Sequence, residues 1–504
     1  MHKYVKIVIL CIGAFFLFYN LNHHYLWKDE AETALLARSV VEKGIPLRNI
    51  GKNQIQIHVP QYLRNGEIWT FHPWLQFYVT ALSFKLFGES TWSARFPFAI
   101  FGFLSLILMY LLALRLSRDK TIALLALSLL TFLIPFILNM RECRYYAPGV
   151  FFSLLLFLFY LNFLERKKYA FFGYLITANL LFHSSYGYFI PINVGIIAHY
   201  GVRSRRDLTP FILLQSLVFL TTFPAFMYYN GIQHGSRGLE WIRISHNLQY
   251  YFRVIHKFMF PLFLMVGVLL ADLLFWKKKI WIQMKSYLSS STLGLIGIVT
   301  LSTFFFGAMG DQHYYRYILH LVPLFLIVTA VFFKATFLYS KWISKIGFIL
   351  VLMTSLLHYS VFNVFSKKNI SYFPPIDYVY ELTHPHDDLS KGLVEFFNKH
   401  AKPTDTIGIP YADHQLMFYT DFRILNINIK KNVFPEWIVY QSSWFGDVYG
   451  PSEKSDYFKA IQNQYERIET NIPDVRWSYR ADPYHYQFRN HKDVPRLVIF
   501  KKKI

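Results

Sequence analysis

Long apolar runs separated by short polar segments occupy most of the chain before residue 364. Several runs are shorter than the roughly 20 residues that a membrane-spanning helix needs, so the pattern does not fix the boundaries of each span. The repetition of the runs is nevertheless typical of a bundle of spans. The pattern therefore predicts a polytopic α-helical membrane protein with about eleven transmembrane helices. The apolar runs lie at 4–21, 93–115, 121–138, 147–164, 169–184, 186–200, 210–228, 258–276, 290–309, 317–338 and 344–363.

Basic residues are clustered in alternate loops between these runs. By the positive-inside rule these loops and the N-terminus face the cytoplasm. An odd number of spans then places the other loops, and everything after residue 364, on the non-cytoplasmic face. The expected location is a cell (inner) membrane, with a periplasmic or extracellular C-terminal domain. The basic clusters are Lys3/Lys6, Arg115/Arg118/Lys120, Arg166/Lys167/Lys168, Arg203/Arg205/Arg206, Lys277/Lys278/Lys279/Lys285 and Lys341/Lys345.

The first run, after Lys3 and Lys6, is also compatible with a cleaved signal peptide. The bulky segment 22–25 that follows it has no small-residue cleavage pattern, so we expect an uncleaved span. The outer loop 22–92 comes next. It begins with a predicted helix over 29–42 and contains a partly amphipathic segment, 73–87, that is too short to span and is predicted to lie at the membrane interface.

The chain changes character at about residue 365. A polar linker is predicted over 366–369 and Pro374-Pro375, followed by a helix at 389–400 and strands at 406–409 and 496–500. We therefore expect two domains: a transmembrane domain over 1–364 and a soluble extracytoplasmic α/β domain over 365–504.

Composition supports a membrane protein and not a nucleic-acid-binding one. Of the 504 residues 54% are hydrophobic and only 16% charged, too few charges to cover a soluble protein of this length. The net charge of +22 comes from clusters between apolar runs, a pattern of topology and anionic headgroups. The two cysteines, Cys11 and Cys143, give no basis for a structural disulfide.

Acidic side chains open the first outer loop. Asp29, Glu30 and Glu32 stand directly after the first span, where carboxylates are costly unless they bind or react. A structural alternative is a capping box with Asp29 as N-cap and Glu32 three residues later. The two interpretations are compatible, because a capped helix also fixes the position of its carboxylates.

Cations and imidazoles recur at the outer ends of other spans. Arg141 and Arg144, if helical, share a face from which two guanidinium groups could clamp a phosphate. Arg316 stands at a comparable position before the tenth span, and snorkelling towards headgroups is the alternative for all three arginines. His72 and His183 lie at the same face, where simple packing is the alternative. No ligand pattern indicates a metal site.

Acids and cations on one face of a helical bundle suit transfer from an anionic lipid. A carboxylate would take a proton from an incoming hydroxyl group, and cations would stabilise a departing phosphate. A lipid or solute transporter could carry the same groups, but it would also be expected to have charged or broken helices near the middle of the membrane. A non-catalytic assembly protein with a partner-binding C-terminal domain is a further alternative.

An ordered set of short motifs runs along most of the chain. The motifs are WKDEAETA at 27–34, GIP at 44–46, HPWL at 72–75, FKLFG at 84–88, SARFP at 93–97, FG at 101–102, RECRYY at 141–146, His183 with Tyr186, Arg316-Tyr317 with Pro323, LMFYT at 416–420 and DVRW at 474–477. Each motif is weak alone, but the ordered set resembles that of protein O-mannosyltransferase-like glycosyltransferases of family 39 and their GT-C relatives, which include the lipid A aminoarabinose transferases.

The resemblance implies an inverting transfer of a sugar from a polyprenyl-phosphate carrier to a protein, lipid or glycan acceptor on the non-cytoplasmic face. The carrier lies among the membrane lipids. Asp29 would be the catalytic or acceptor-activating carboxylate, with Glu30 as its neighbour. Arg144 and Arg316, with Arg141 as a further candidate, would hold the carrier phosphate. The same face would also carry Glu142, Tyr145, His183 and Tyr317.

One motif departs from the relatives. The aminoarabinose transferases carry a Lys-Pro-Pro block where this chain has His72-Pro73-Trp74. His72 is therefore a candidate phosphate contact whose charge depends on pH. No particular cofactor is indicated, and a divalent cation is left open.

Overall fold

A computed structural model describes most of the chain. The described residues are 2–56, 62–203, 208–231, 240–258, 261–275, 278–310, 313–358, 371–428, 433–442, 444, 455–475, 488 and 494–503. Among the sequence predictions, those that concern Arg205, Arg206, Lys277, the linker 366–369, Arg476 and Trp477 lie outside these residues.

The chain forms two compact units that do not follow the boundary expected at 364/365. One unit contains Met1–Tyr19 and Phe98–Val379, and the other contains Asn20–Pro97 together with the described residues from Tyr380 onward. The first outer loop thus shares a unit with the C-terminal region instead of the membrane helices.

Helices dominate the first unit. Most follow the predicted apolar runs closely, because continuous apolar sequence without internal caps favours helix in a bilayer. They are α1 His2–Phe18, α4 Thr91–Ser117 (up to Pro97 in the second unit), α5 Lys120–Phe132, α6 Ile134–Arg141, α7 Tyr146–Leu164, α8 Ala170–Ser184, α9 Tyr186–Arg203, α10 Thr209–Tyr228, α11 Trp241–Phe258, α12 Leu262–Phe275, α13 Lys279–Tyr287, α14 Ser290–Met309, a 3₁₀ helix Tyr315–Leu321, α15 Val322–Thr336 and α16 Lys341–Met353.

Fewer of these helices are long enough to span than the sequence predicted. Among the described residues, five helices are long and apolar enough to cross a membrane, or up to seven if each of two bent pairs is one span. The runs at 4–21, 169–184 and 344–363 form helices of 17, 15 and 13 residues, shorter than the roughly 20 residues that cross the hydrocarbon core. The polytopic α-helical class is confirmed.

The run 121–138 is broken, not straight. Helices α5 and α6 meet at an angle of 66°, and Pro135 lies in the first turn of α6. Proline lacks an N–H for the helical hydrogen bond and clashes with the preceding turn, so the bend has a local cause.

The first outer loop folds into helices and short hairpins. Helix α2 spans Lys28–Lys43 and ends at Gly44, whose φ of 79° suits glycine. Helix α3, Leu75–Phe87, matches the predicted short helix at 73–87. Between them, strands β1 Asn49–Ile50 and β2 Asn53–Gln54 pair, as do β3 Leu63–Arg64 and β4 Ile68–Trp69.

The C-terminal region contains a five-stranded mixed sheet, as the α/β prediction required. Strand order is β6-β5-β7-β9-β8, with β5 parallel to β6 and β7, and β9 antiparallel to β7 and β8. The side chains of Ile427, Ile438, Ile461 and Phe500 belong to its buried core. The strands are β5 Thr406–Ile409, β6 Arg423–Asn426, β7 Trp437–Tyr440, β8 Tyr465–Pro473 and β9 Arg496–Lys502.

Among the described residues of the second unit, three helices accompany this sheet: Leu389–His400, Asp413–Tyr419 and Asp456–Gln464. A further helix, Pro374–Thr383, begins in the first unit and ends in the second. The helix predicted at 389–400 and the strand predicted at 406–409 are confirmed with the same bounds. The linker prediction is wrong at Pro374-Pro375, which begins a helix, because proline is tolerated in the first helical turn.

Candidate functional site

Asp29 lies in the first turn of α2, in the second unit, and is half-buried. The predicted capping box is displaced by two residues: the Trp27 N–H donates to Glu30 Oε2 at 3.2 Å, and Trp27, not Asp29, is the N-cap. Glu30 rather than Glu32 therefore supplies the carboxylate half of a capping box, and the Trp27 side chain makes no cap hydrogen bond. Asp29 sits where the helix dipole favours a negative charge.

Glu30 is fully buried and bound on both oxygens. Arg95 Nε donates to Oε1 at 2.8 Å and Arg95 Nη2 to Oε2 at 2.6 Å. The same guanidinium donates to the carbonyl oxygens of Leu21, His24 and Tyr25 at 2.9, 2.7 and 3.1 Å. A bidentate pair with this many partners fixes the entry into α2.

A second ion pair involves Lys28, next to Asp29, and connects the start of α2 to the C-terminal region. Its Nζ lies 3.0 Å from Asp413 Oδ1, and the other carboxylate oxygen accepts from Asn426 Nδ2 at 2.8 Å. Burial alone would raise the pKa of Asp413, but Lys28, then His414 and Asn426, hold it well below its usual range. Asp413 is therefore a buried carboxylate that stays ionised.

His414 adds an imidazole to this cluster. Its Nε2 lies 3.7 Å from Asp413 Oδ2, and the side chain is buried. Burial lowers the pKa of the His414 imidazole, and the negative charges of Asp413 and Asp29, which raise the pKa, do not outweigh this effect. The ring is thus neutral at physiological pH and close enough to Asp29 to interact electrostatically with its carboxylate.

His72 lies beside a carboxylate. Its Nδ1 is 3.6 Å from Glu32 Oε1, and both side chains are mostly buried. Glu32 is therefore a partner of the His72 imidazole, a contact that the HPWL motif at 72–75 did not predict.

In the first unit, Arg141 holds the end of helix α1. Its Nη1 donates to the carbonyl oxygen of Phe16 at 3.0 Å and to the Tyr378 hydroxyl, and its Nη2 donates to the carbonyl oxygen of Tyr19 at 2.8 Å. A cation at a helix C-terminus satisfies carbonyl groups that lack helical partners. This arrangement favours a structural role for Arg141.

Arg144 is separated from Arg141 by extended backbone. Helix α6 ends at Arg141, and Glu142 has φ −76° and ψ 142°, so the predicted helical i,i+3 face of the two arginines is wrong. Glu142 is buried, and its carbonyl accepts from the Arg144 N–H at 2.7 Å. Arg144 as a whole is 3% exposed, and its guanidinium lies 5.7 Å from the centre of the Tyr145 ring.

Tyr188, in the first turn of α9, connects Tyr145 to Arg316. The rings of Tyr145 and Tyr188 are 6.2 Å apart, and the Tyr188 hydroxyl donates to the carbonyl oxygen of Arg316. The Arg316 guanidinium lies 4.1 Å from the ring of Tyr314 and 5.7 Å from that of Tyr317. We call these residues (Arg144, Tyr145, Tyr188, Arg316 and Tyr317) the arginine–tyrosine cluster.

Close packing holds this cluster together. A Cβ atom at Gly149, in the first turns of α7, would lie 2.8 Å from the Tyr188 ring, so only glycine fits against that ring at this backbone distance. His183, at the end of α8, contacts a different aromatic ring, that of Tyr229, at 6.2 Å between ring centres.

The sequence analysis missed four residues of these surroundings: Arg95, Asp413, His414 and Tyr188. Arg95 and Tyr188 lie within or beside quoted motifs, and Asp413 and His414 stand one residue before LMFYT, so a charged or aromatic residue near a motif was the available signal. Their partners come from distant segments and could not be read from spacing. Among the described residues, no group of three or more histidine, cysteine, aspartate or glutamate side chains is arranged to hold a metal ion.

The region between 71 and 229 matches a known family model. Its description is dolichyl-phosphate-mannose-protein mannosyltransferase. An uncharacterized protein of Aquifex aeolicus (strain VF5) is 29% identical over 212 residues. That match spans 41% of this chain and 39% of the relative, so well under two thirds of the relative's length is matched.

Two solved structures share the fold over almost the whole chain. ArnT from Cupriavidus metallidurans bound to undecaprenyl phosphate has a TM-score of 0.55 and 13% identity, and the match covers 98% of this chain and 97% of that one. The apo state of the same protein has a TM-score of 0.56 and 14% identity, with the same coverage.

The motif resemblance is thereby confirmed from two directions, sequence and fold. The chain is a multi-pass membrane protein that shares the GT-C fold of ArnT, and its residues 71–229 match the dolichyl-phosphate-mannose-protein mannosyltransferase family.

Proposed function

We propose that this chain is a glycosyltransferase that moves a sugar from a polyprenyl-phosphate carrier to an acceptor hydroxyl group on the non-cytoplasmic face of the membrane. The observation that carries the proposal is the arginine–tyrosine cluster in a unit of apolar helices. Cations among aromatic rings in such surroundings suit the phosphate of a lipid better than that of a soluble nucleotide. The fold shared with a protein that was crystallised with undecaprenyl phosphate supports the same donor class.

On the donor side, Arg144 and Arg316 bind the carrier phosphate. Burial of Arg144 strengthens its interaction with an anion, because the local dielectric constant is low. Tyr145 and Tyr317 orient the two guanidinium planes through cation–π contacts. Arg141 acts through structure, by holding the end of α1.

On the acceptor side, Asp29 is the base. The acceptor oxygen forms a bond to the anomeric carbon while its proton passes to the Asp29 carboxylate. The bond from that carbon to the phosphate oxygen breaks, and the oxygen leaves with the electron pair as polyprenyl phosphate. Displacement from the opposite side inverts the anomeric centre. Glu30, which is bound on both oxygens, positions Asp29 instead of taking the proton.

A transporter of the same lipids would use similar charges, and a broken helix pair such as α5–α6, one of two bent pairs among the described residues, would favour it. The residues at that break, Leu133–Pro135, are apolar, and the proline accounts for the bend. Intramembrane ion and substrate sites are usually built from polar or charged groups at such breaks. The structure therefore supports transfer better than transport.

The test is a mass-spectrometric profile of envelope lipids, glycans and glycoproteins from the source strain lacking this gene. The strain is complemented with the wild-type chain or with Asp29→Asn, which keeps the shape of the side chain and removes the base. We expect the wild-type chain alone to restore a sugar-sized mass. A matched control is Asp119→Asn, at the N-cap of α5, which should restore the product fully.

Two outcomes would contradict the proposal in different ways. Lipid movement without any added sugar mass would replace transfer by transport. Full restoration by Asp29→Asn would keep transfer but remove Asp29 as its base.

A further inference from the structure

The C-terminal region reaches the residue next to the proposed base. Asp413 is fully buried and begins the helix Asp413–Tyr419, directly after strand β5 and the Pro410–Ala412 turn. Its partner Lys28 is the first residue of α2, and the next residue is Asp29. The ion pair therefore joins the tail to the position where catalysis is proposed.

The surroundings hold Asp413 in one place. Ala412, just before it, has a φ of 75°, a conformation that costs energy for a residue with a side chain and persists only where neighbouring contacts impose it. Asn426, at the end of β6, binds one carboxylate oxygen and Lys28 the other. The Lys28 ammonium also lies 5.6 Å from the centre of the Tyr411 ring.

Two contacts extend this support along α2. Arg38 donates to the carbonyl oxygen of Phe418 at 3.1 Å, which connects the helix Asp413–Tyr419 to a later turn of α2. The Tyr419 hydroxyl accepts from the Leu26 N–H at 2.9 Å, just before α2 begins. The short helix thus contacts α2 before its start, at its first residue and farther along it.

We propose that Asp413 is a positioning residue: its buried carboxylate holds Lys28 and so orients Asp29 towards the acceptor. The C-terminal region is then part of the catalytic apparatus and not a separate binding module. This inference rests on the proposed function, because it assigns a role relative to Asp29 as base. A displacement of about 1 Å of a reacting group lowers the rate on the order of 10²-fold.

The experiment compares Asp413→Asn, Lys28→Met and the double variant in the full-length chain. The purified proteins are reconstituted in liposomes with the polyprenyl-phosphate sugar fraction extracted from the deletion strain, and membranes of that strain supply the acceptor. We measure kcat, the donor KM and the melting temperature. Asp413→Asn should lower kcat on the order of 10²-fold with little change in donor KM, since the donor phosphate is bound elsewhere.

The double variant separates positioning from stability. Asp413→Asn leaves the Lys28 ammonium without its carboxylate and destabilises the fold, whereas removal of both charges restores stability. A positioning role predicts a recovered melting temperature with kcat still low. Recovery of kcat together with the melting temperature would overturn the proposal, because the pair would then serve stability alone.

Two controls complete the design. Glu89→Gln removes the carboxylate that pairs with Arg38, a residue of α2. Asp474→Asn removes a buried carboxylate that accepts a hydrogen bond from Ser442 in the tail. Both should keep kcat near that of the wild type. If Asp413→Asn retains full kcat while Asp29→Asn has none, the inference is wrong and the proposed function stands; if the wild-type chain transfers no sugar, the proposed function itself fails.

Discussion

At the scale of single residues, similar side chains have different environments. Arg141 donates hydrogen bonds to carbonyl groups at the end of α1, whereas Arg144 is buried against Tyr145. Glu30 is bound on both oxygens by Arg95, whereas its neighbour Asp29 is half-buried at the start of α2. These contrasts separate the groups proposed to react from those that hold them in place.

Replacement of Arg144 should affect the donor more than the acceptor. Arg144→Ala removes a buried cation from the proposed phosphate site, so we expect the donor KM to rise and kcat to fall, with the acceptor KM nearly unchanged. Arg144→Lys should recover only part of the activity, since an ammonium lacks the planar fork of a guanidinium. Steady-state kinetics with each substrate varied in turn measure this, and a change confined to the acceptor KM would show that Arg144 is misassigned.

At the scale of elements, polar contacts decide how α2 and the tail helices begin. Arg95 binds three carbonyl groups and Glu30 before α2, and Asp388 caps the helix Leu389–His400 through the N–H groups of Ser390 and Lys391. Both elements were visible in the hydrophobic pattern. The partner of α2, Arg95, was not, because it comes from a segment more than 60 residues away, whereas Asp388 stands directly before its helix and is a local signal.

Loss of Arg95 should destabilise the second unit. Arg95→Met leaves the fully buried Glu30 carboxylate without its counter-ion, which typically costs about 3–5 kcal/mol. We expect a lower melting temperature in detergent. The double variant Arg95→Met/Glu30→Gln should recover much of the loss, and a single variant as stable as the wild type would show that the pair contributes little.

Acid should weaken the contact between Asp388 and the first loop. Burial opposes ionisation of Asp388, but His24 and the backbone N–H groups of Lys391 and Tyr25 outweigh it and lower the pKa of the carboxyl to about 2. A lowered carboxyl pKa contributes stability that is fully present above the unfolded value of about 4 and is lost as the pH falls towards about 2. The contribution is on the order of 2 kcal/mol.

The measurement is the melting temperature of wild type and Asp388→Asn between pH 7 and the lowest pH at which the protein stays soluble. The two curves should approach each other as the pH falls below about 4. A constant difference over the whole range would mean that the ionised carboxyl contributes no stability.

At the scale of the whole molecule, two compact units cut across the expected division at residue 364, which itself stays a prediction about the membrane boundary. The first outer loop belongs with the C-terminal region because Lys28, Arg38 and Asn53 bind tail residues. A sequence boundary drawn where hydropathy ends cannot detect such contacts. The fold itself was predictable, since continuous apolar runs and ordered motifs are local properties.

The charge pattern makes a prediction about the membrane orientation. We expect the loop at residues 166–168 to face the cytoplasm and residues 389–400 to face the outside. Single cysteines introduced at Lys167 and Lys399 in a Cys11→Ser, Cys143→Ala background report this through a membrane-impermeant maleimide on intact cells. Lys399→Cys should be labelled and Lys167→Cys should not; the reverse pattern would invert the topology.

The sequence by itself determined the class of this protein, the positions of most of its apolar helices, the tail helix at 389–400 with the strand at 406–409, and the motifs of the proposed donor and acceptor groups. These depend on hydrophobic periodicity and residue type, which are local. Only the tertiary structure decided that Arg141 binds carbonyl groups at the end of α1, that Glu30 pairs with Arg95 and that Asp413 pairs with Lys28. Buried charges need partners, and the fold selects those partners from segments far apart in the chain.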